Sequence, residues 1–362
     1  MRKLSVRIAR WFLIPVAALA LAACSSGVTA APSNQATGSG GTTLKPGKVG
    51  ILLASATTQL SAEAVLVKKA LGEVQWTSAT TDGQNSPTVQ QTALQDFIQQ
   101  KVQGIITISI TSAVVAPQLQ QAKAAGIPVI SLADDANPTA FDANYGGDAS
   151  QQAKLTASYV KAKLPAGSPY VTLDISGIYS IHQFITSTTA LLDAEGFQHV
   201  GNYDINLADL TNSIKTGALN LVQAHPNARL LYGCSSVCIP IVAAAFEQAG
   251  IRNVLIVANS FPQDKPTFSV IAGGSPAAAN IQNFDVDSLI AVDQILKHTA
   301  TGASIDRNAD NGVYQSAMVD KANVPSSGAF TGTTATQHSH FDDSQLLTQY
   351  VSEWKKAYAI SG

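Results

Sequence analysis

The chain has 362 residues, of which 46% are hydrophobic and 13% charged, with a formal net charge of −2. That length and apolar content can bury a large core and favour two domains over one. Charge is nearly balanced and basic residues do not cluster beyond the N-terminus, so there is no electrostatic footprint for nucleic acid.

Arg2, Lys3, Arg7 and Arg10 precede an apolar run from Trp11 to Ala20, followed by Leu21-Ala22-Ala23-Cys24. The run is too short for a convincing membrane span and ends in small residues, so residues 1–23 read as an export signal that is removed. Leu-Ala-Ala-Cys resembles the lipobox of bacterial lipoproteins. That resemblance implies lipidation of Cys24 and a protein anchored on the outer face of the cell membrane without spanning it. Residues 24–47, rich in Ser, Thr, Gly and Ala, cannot bury enough surface to order themselves and read as a flexible tether.

From Lys48 the chain alternates apolar runs with helical patterns. Lys48–Ala54 reads as a strand, Ser61–Leu71 as a helix, Val74–Ala79 as a strand, and Ser86-Pro87 as the cap and first position of a helix bearing Val89, Ala93, Phe97 and Ile98 on one face. Gly104–Ser109, a helix and Val129–Leu132 then make a β-α-β unit, interrupted at Ala125-Gly126-Ile127-Pro128. Such continuous Val/Ile runs suit strands covered on both faces. A polar, aperiodic stretch around Asn137-Pro138 and Gly146-Gly147 marks a lobe crossing, with an N-terminal lobe over residues 48–142.

The alternation restarts in a second lobe over residues 143–284. Helix Ser150–Lys163 is followed by strand Tyr170–Asp174, helix His182–Glu195, strand Val200–Asn206, helix Ala208–Ala224, strand Arg229–Tyr232, helix Val237–Gln248, strand Val254–Ala258 and strand Ala278–Phe284. Residues 285–315 read as a helix and strand returning to the N-terminal lobe, and 316–362 as the last crossing and a C-terminal amphipathic helix, Asp342–Tyr358. Repeated strand-helix alternation with short connections argues an α/β fold with parallel sheets. Cys234 and Cys238, four apart at a strand-to-helix turn, read either as a disulfide or as two buried small side chains.

Ala122-Lys123-Ala124-Ala125-Gly126-Ile127-Pro128-Val129-Ile130 and Ala278–Phe284 carry a resemblance to the type I periplasmic binding proteins, the sugar-binding lipoproteins of ABC importers, which share their fold with LacI-type repressor effector domains. It covers roughly Lys48 to Lys297. The resemblance implies two Rossmann-like lobes, a three-crossing hinge and a ligand cleft between the lobes, closing by hinge motion on a small polar molecule. By position, the strand ends then deliver Ser55, Thr57 and Thr58, Thr111 and Ser112, and Asp134 and Asp135 from the first lobe, one of the two aspartates as a ligand contact and the other as a loop carboxylate. Tyr179, His182, Gln183, Ser235, Ser236, Asn259 and Gln282 come from the second, Gln282 matching a ligand-binding glutamine of the family. Sugar-binding members carry an aromatic segment after the first strand, where this chain has Ser55-Ala56-Thr57-Thr58, and an arginine where it has His182 and Gln183. Neutral groups thus replace most charged ones, which leaves room for a less polar or modified ligand.

The expected function is a monomeric extracytoplasmic solute-binding lipoprotein, without cofactor, metal or catalytic residues, that delivers a sugar or polyol to an ABC permease. A ligand sensor acting on a membrane receptor is the alternative. A serine hydrolase built on Gly233-Cys234-Ser235-Ser236 is a weaker one, because the second glycine of a nucleophile elbow is missing. His338 and His340 read as solvated loop rather than metal ligands.

Overall fold

In the computed structural model, which describes residues 42–132, 135–146, 149–309, 316–330, 341 and 343–360, the β-branched run Gly104–Ile108 is a strand with all five residues buried. It lies at the centre of the first sheet. Thr42–Leu44 (β1), Lys48–Leu53 (β2), Thr58–Glu73 (α1), Thr77–Asp82 (β3), Pro87–Gln99 (α2), Gly104–Ile108 (β4), Ser112–Ala124 (α3), Val129–Leu132 (β5) and Ala143–Asn144 (β6) make the first lobe. Its five-stranded sheet is parallel and ordered β3-β2-β4-β5-β6.

The second lobe contains Ala149–Lys163 (α4), Pro169–Asp174 (β7), Tyr179–Ala194 (α5), Gln198–Asp204 (β8), Leu210–Ala224 (α6), Leu230–Gly233 (β9), Cys238–Gln248 (α7), Leu255–Ser260 (β10), Lys265–Ala272 (α8) and Ala277–Gln282 (β11). These five strands are parallel, ordered β8-β7-β9-β10-β11. Both sheets therefore follow one topology, with the second strand outside the first and the third, fourth and fifth on the other side. Aliphatic side chains cover each sheet on both faces. In the first lobe one face packs Ile51, Ile106 and Ile130 with Val67 and Leu289, and the other packs Leu52 and Ile105 with Phe97 and Val115.

Local chemistry explains most element ends. Ser86 Oγ accepts from the Val89 amide with Pro87 at the first helical position, as the Ser-Pro pair predicts. The strand expected at Val74–Ala79 instead occupies Thr77–Asp82, because Val74 caps α1 and Gln75 turns the chain with φ of 61°. Val74 and Trp76 are buried in that turn, so their hydrophobicity belongs to a helix end and not to the strand.

The lobe boundaries also move. β6 pairs with β5, so the first crossing follows Asn144 and Ala143–Asn144 belongs to the first lobe, not the second. Phe284–Thr301 (α9) does return to the first lobe, where Leu289, Val292 and Ile295 enter its core. Residues 302–309 form no strand, and the rest of the stretch expected to return with α9, residues 310–315, lies outside the described residues. Ser316–Val319 (β12) pairs antiparallel with β11 in the second sheet, its alternating Ala317 and Val319 buried there. Phe330 and Phe341 meet edge to face, 5.1 Å between ring centres, in the second-lobe core.

Beyond them Asp343–Ala357 (α10) packs again on the first lobe, with Leu346, Leu347 and Trp354 buried. Trp354 Nε1 donates to Asp293 Oδ1 at 2.8 Å and joins α10 to α9. The final strand, Tyr358–Ile360 (β13), pairs in parallel with β1. The chain thus passes between the lobes once more than three times. The last residues of the expected tether, Thr42–Leu44, form part of this ordered pair, with Leu44 buried in the core. The leader, Cys24, Asp134, His338 and His340 lie outside the described residues. Among those residues no helix is long and apolar enough to cross a membrane.

Candidate functional site: a cleft between the two lobes

In open α/β sheets ligands bind beyond the carboxyl ends of the strands, where the strand order reverses. With this strand order the reversal falls between β2 and β4 in the first lobe and between β7 and β9 in the second. One cavity of about 530 Å3 lies at both places, lined by Ala54 and Ser55 after β2, Ser109 and Thr111 after β4, Ile175 and Gly177 after β7, and Cys234, Ser235 and Ser236 after β9.

Two of these strand ends share an unusual backbone. Ser109 has φ of 58° and Cys234 of 61°, the left-handed region that non-glycine residues rarely enter. Gly233, next to Cys234, has φ of 132°, and a Cβ there would stand 2.2 Å from the Leu173 carbonyl oxygen. The chain therefore leaves β9 in a tight turn that lays Ser235 and Ser236 along the cleft. A disulfide joins Cys234 to Cys238 across this turn, Cα atoms 6.0 Å apart. Closing so short a loop restricts the unfolded chain by about 2 kcal/mol. A Cys234→Ala/Cys238→Ala double variant should lose roughly that much stability in urea unfolding, and a midpoint indifferent to both substitution and reductant would contradict it.

Of the residues expected at the site, Ser55, Thr57, Thr111, Ser235, Ser236, Asn259 and Gln282 line the cleft. Thr57 sits at the N-cap of α1 without a capping bond from its side chain. Gln282 also donates through Nε2 to Gln152 Oε1 on α4. Ser235 does not cap α7, whose N-cap is Val237 without a side-chain bond.

Others are placed elsewhere. Ser112 is buried and held by Asp135, its amide donating to Oδ2 at 2.7 Å and its hydroxyl to Oδ1 at 2.6 Å. Thr111, expected beside it, does line the cleft. The backbone position of Thr58 opens α1, whereas Asp134 falls outside the described residues. Tyr179, His182 and Gln183 are absent from the lining, to which α5 contributes Ser180, Ile181 and Phe184. One residue turns a helix by about 100°, so a strand-end loop that becomes helix at Tyr179 rotates the expected side chains off the cleft. His182 instead pairs through Nδ1 with Asp174 Oδ2 at 2.6 Å.

The sequence reading missed Glu63, Asn85, Gln90 and Asp264, all of which line the cleft. Asp264 had a legible signal: Asp-Lys-Pro starts α8, and Asp264 Oδ1 accepts from the Thr267 amide at 3.2 Å. Its other oxygen accepts from Ser260 Oγ at 2.5 Å. Glu63 had none, being one acidic residue on an amphipathic helix. It is 3% exposed. Burial, reinforced by the nearby Asp285 charge, holds its carboxyl well above the usual carboxylate range.

Among the described residues no Lys, Arg or His lines the cleft, and no group of three or more His, Cys, Asp and Glu side chains could hold a metal ion. Ser235 therefore has no histidine beside it in the cleft to act as the base of a hydrolase. The arrangement can bind, through neutral hydroxyls and amides from two jaws.

Two lobes of like topology, joined by repeated crossings and opposed across a cleft at their strand ends, define a two-lobed ligand-binding protein of the type I periplasmic fold. A profile of the periplasmic binding protein domain matches residues 57–294, and the chain belongs to that family, whose members bind solutes rather than convert them. Comparison with curated proteins finds no match. Among solved structures, an ABC sugar transporter subunit from Rhodobacter sphaeroides 2.4.1 is similar with a TM-score of 0.68 and 18% identity, over 78% of this chain and 100% of that one. A periplasmic solute-binding protein from Actinobacillus succinogenes 130z with bound D-allose has a TM-score of 0.66 and 17% identity, over 76% and 98% of the two chains. A carbohydrate transporter from Acidothermus cellulolyticus 11B in complex with myo-inositol has a TM-score of 0.64 and 19% identity, over 77% and 96%. At these identities the likeness establishes the fold.

Proposed function

We propose that this protein is an exported, lipid-anchored solute-binding protein that captures a sugar or polyol in the cleft and delivers it to an ABC permease. The observation that carries the reading is the cleft itself, which sits at the strand-order reversals of both sheets. Its lining there includes Ser55, Thr57 and Thr111 from one lobe and Ser235, Ser236 and Asn259 from the other. Hydroxyls and amides match the donors and acceptors of a polyhydroxylated ligand, and the absence of cationic side chains from the lining disfavours anions.

Contacts made by both lobes at once favour the closed form, so a ligand shifts the population toward closure, and the permease recognises that form. Lipidation at Cys24 would hold the protein at the membrane surface beside the permease. Relatives of this fold are crystallised with D-allose, L-rhamnose, allitol and myo-inositol, which makes these four the first panel. A specific binder at a hundredfold excess over its Kd stabilises the fold by about 2.7 kcal/mol and raises Tm by roughly 5 °C. If no sugar or polyol shifts Tm, and amino acids or nucleosides do, the reading is wrong.

A further inference from the structure

Resting on the reading of the cleft as a sugar or polyol site, the lining says more about what else the ligand carries. Five residues on one jaw, Ile178, Ile181, Leu207, Leu210 and Val237, are only partly buried. They form the margin of the second-lobe core and line the cleft. Phe261 and Phe284 join them, and Leu60, Val114 and Leu132 face the cleft from the first lobe. A cleft that met only hydroxyls would leave this apolar surface wet whenever it closed.

Two buried acceptors lie in the same lining without a hydrogen-bond partner. They are Glu63 Oε2 on the first lobe and Asn259 Oδ1 on the second, in residues 3% and 8% exposed. The other Glu63 oxygen has one long bond, accepting from Gln59 Nε2 at 3.4 Å. Buried polar atoms are rarely left unpaired, and a ligand hydroxyl at each would supply the missing partner. A cavity of about 530 Å3 is in the size class that takes drug-sized molecules.

We infer that the ligand is an uncharged glycoside, a hydroxylated head joined to an apolar aglycone, with the head paired to Glu63 and Asn259 and the aglycone seated on the jaw formed by Ile178, Ile181, Leu207, Leu210 and Val237. The upward shift of Glu63, caused by burial, agrees with an uncharged partner, since burial disfavours the charged carboxylate.

The test is calorimetric titration of the intact soluble protein with the methyl and the 4-nitrophenyl glycosides of D-glucose, D-galactose, D-xylose, L-arabinose and L-rhamnose, beside the free sugars. In at least one series the 4-nitrophenyl glycoside should bind about tenfold or more tighter than its methyl counterpart, with a more negative heat-capacity change. Leu207→Asn should cut that ratio several-fold, whereas Glu63→Leu should weaken both members of the series alike. Free sugars that bind as tightly as their aryl glycosides would overturn the inference and leave the sugar-binding reading standing. If only 4-nitrophenol binds, or no member of any series binds, the inference falls, and the sugar-binding reading falls with it only if D-allose, allitol and myo-inositol also fail to bind.

Discussion

Tryptophan in place of Ser235 should weaken, by about a hundredfold, the binding of whichever compound among D-allose, L-rhamnose, allitol and myo-inositol stabilises the wild-type protein most. Ser235 lies beyond β9, beside the strand-order reversal of the second sheet, and it is half-exposed in the cleft wall. An indole there occupies the space between the jaws and meets the first lobe before the lobes can close. Affinity in a clamp depends on the population of the closed form, so a closure penalty of about 3 kcal/mol weakens binding roughly a hundredfold. The same substitution should leave the ligand-free unfolding midpoint within about 0.5 kcal/mol of wild type, because Ser235 neither caps α7 nor fills the core. Retained binding in Ser235→Trp would place the ligand elsewhere.

The second large effect is on the fold. Asp135→Ala should cost about 3–5 kcal/mol in urea unfolding, far more than a surface carboxylate is worth. Asp135 is 6% exposed and accepts three short bonds, from the Ser112 amide at 2.7 Å, the Ser112 hydroxyl at 2.6 Å and the Asn137 amide at 2.7 Å. Truncation strands the two Ser112 donors where water has little access, and the first turn of α3 loses its tie to the end of β5. Since Thr111 and Val114 line the cleft from that turn, ligand affinity should fall with stability. Asp135→Asn keeps the shape and one acceptor, so it should recover part of both losses. A loss below about 1 kcal/mol in Asp135→Ala would show that the turn is held by other contacts.

The Asp134-Asp135 pair shows where reading ended and folding began. Its position at the end of β5 follows from the apolar run Val129–Leu132, which is the observed strand residue for residue. The sequence offers both aspartates, one as a ligand contact and one as a loop carboxylate, and the structure gives Asp135 to Ser112. Neighbouring residues leaving a strand point in different directions, and a three-residue spacing cannot say which of them meets a backbone 23 residues earlier. Similarly, α8 was overlooked although its Asp-Lys-Pro start is a local signal, while β12 could not have been assigned to a lobe. Its four residues pair antiparallel with a strand more than thirty positions away.

Read alone, the amino-acid order determined the α/β class, the two lobes, nearly every buried strand and the set of strand ends from which a site could be built. Those properties follow from hydrophobic period and from caps and breakers that act within a few residues. Tertiary structure alone decided the orientation of the side chains at those ends. It turned Ser180 and Ile181 toward the cleft instead of Tyr179, His182 and Gln183, brought the solitary Glu63 into the wall, and returned the C-terminal helix to the first lobe. A helix rotates its side chains by about 100° per residue, so a shift of one or two positions at its start exchanges the residues that face a ligand for those that face away. Only packing against the rest of the chain determines that phase.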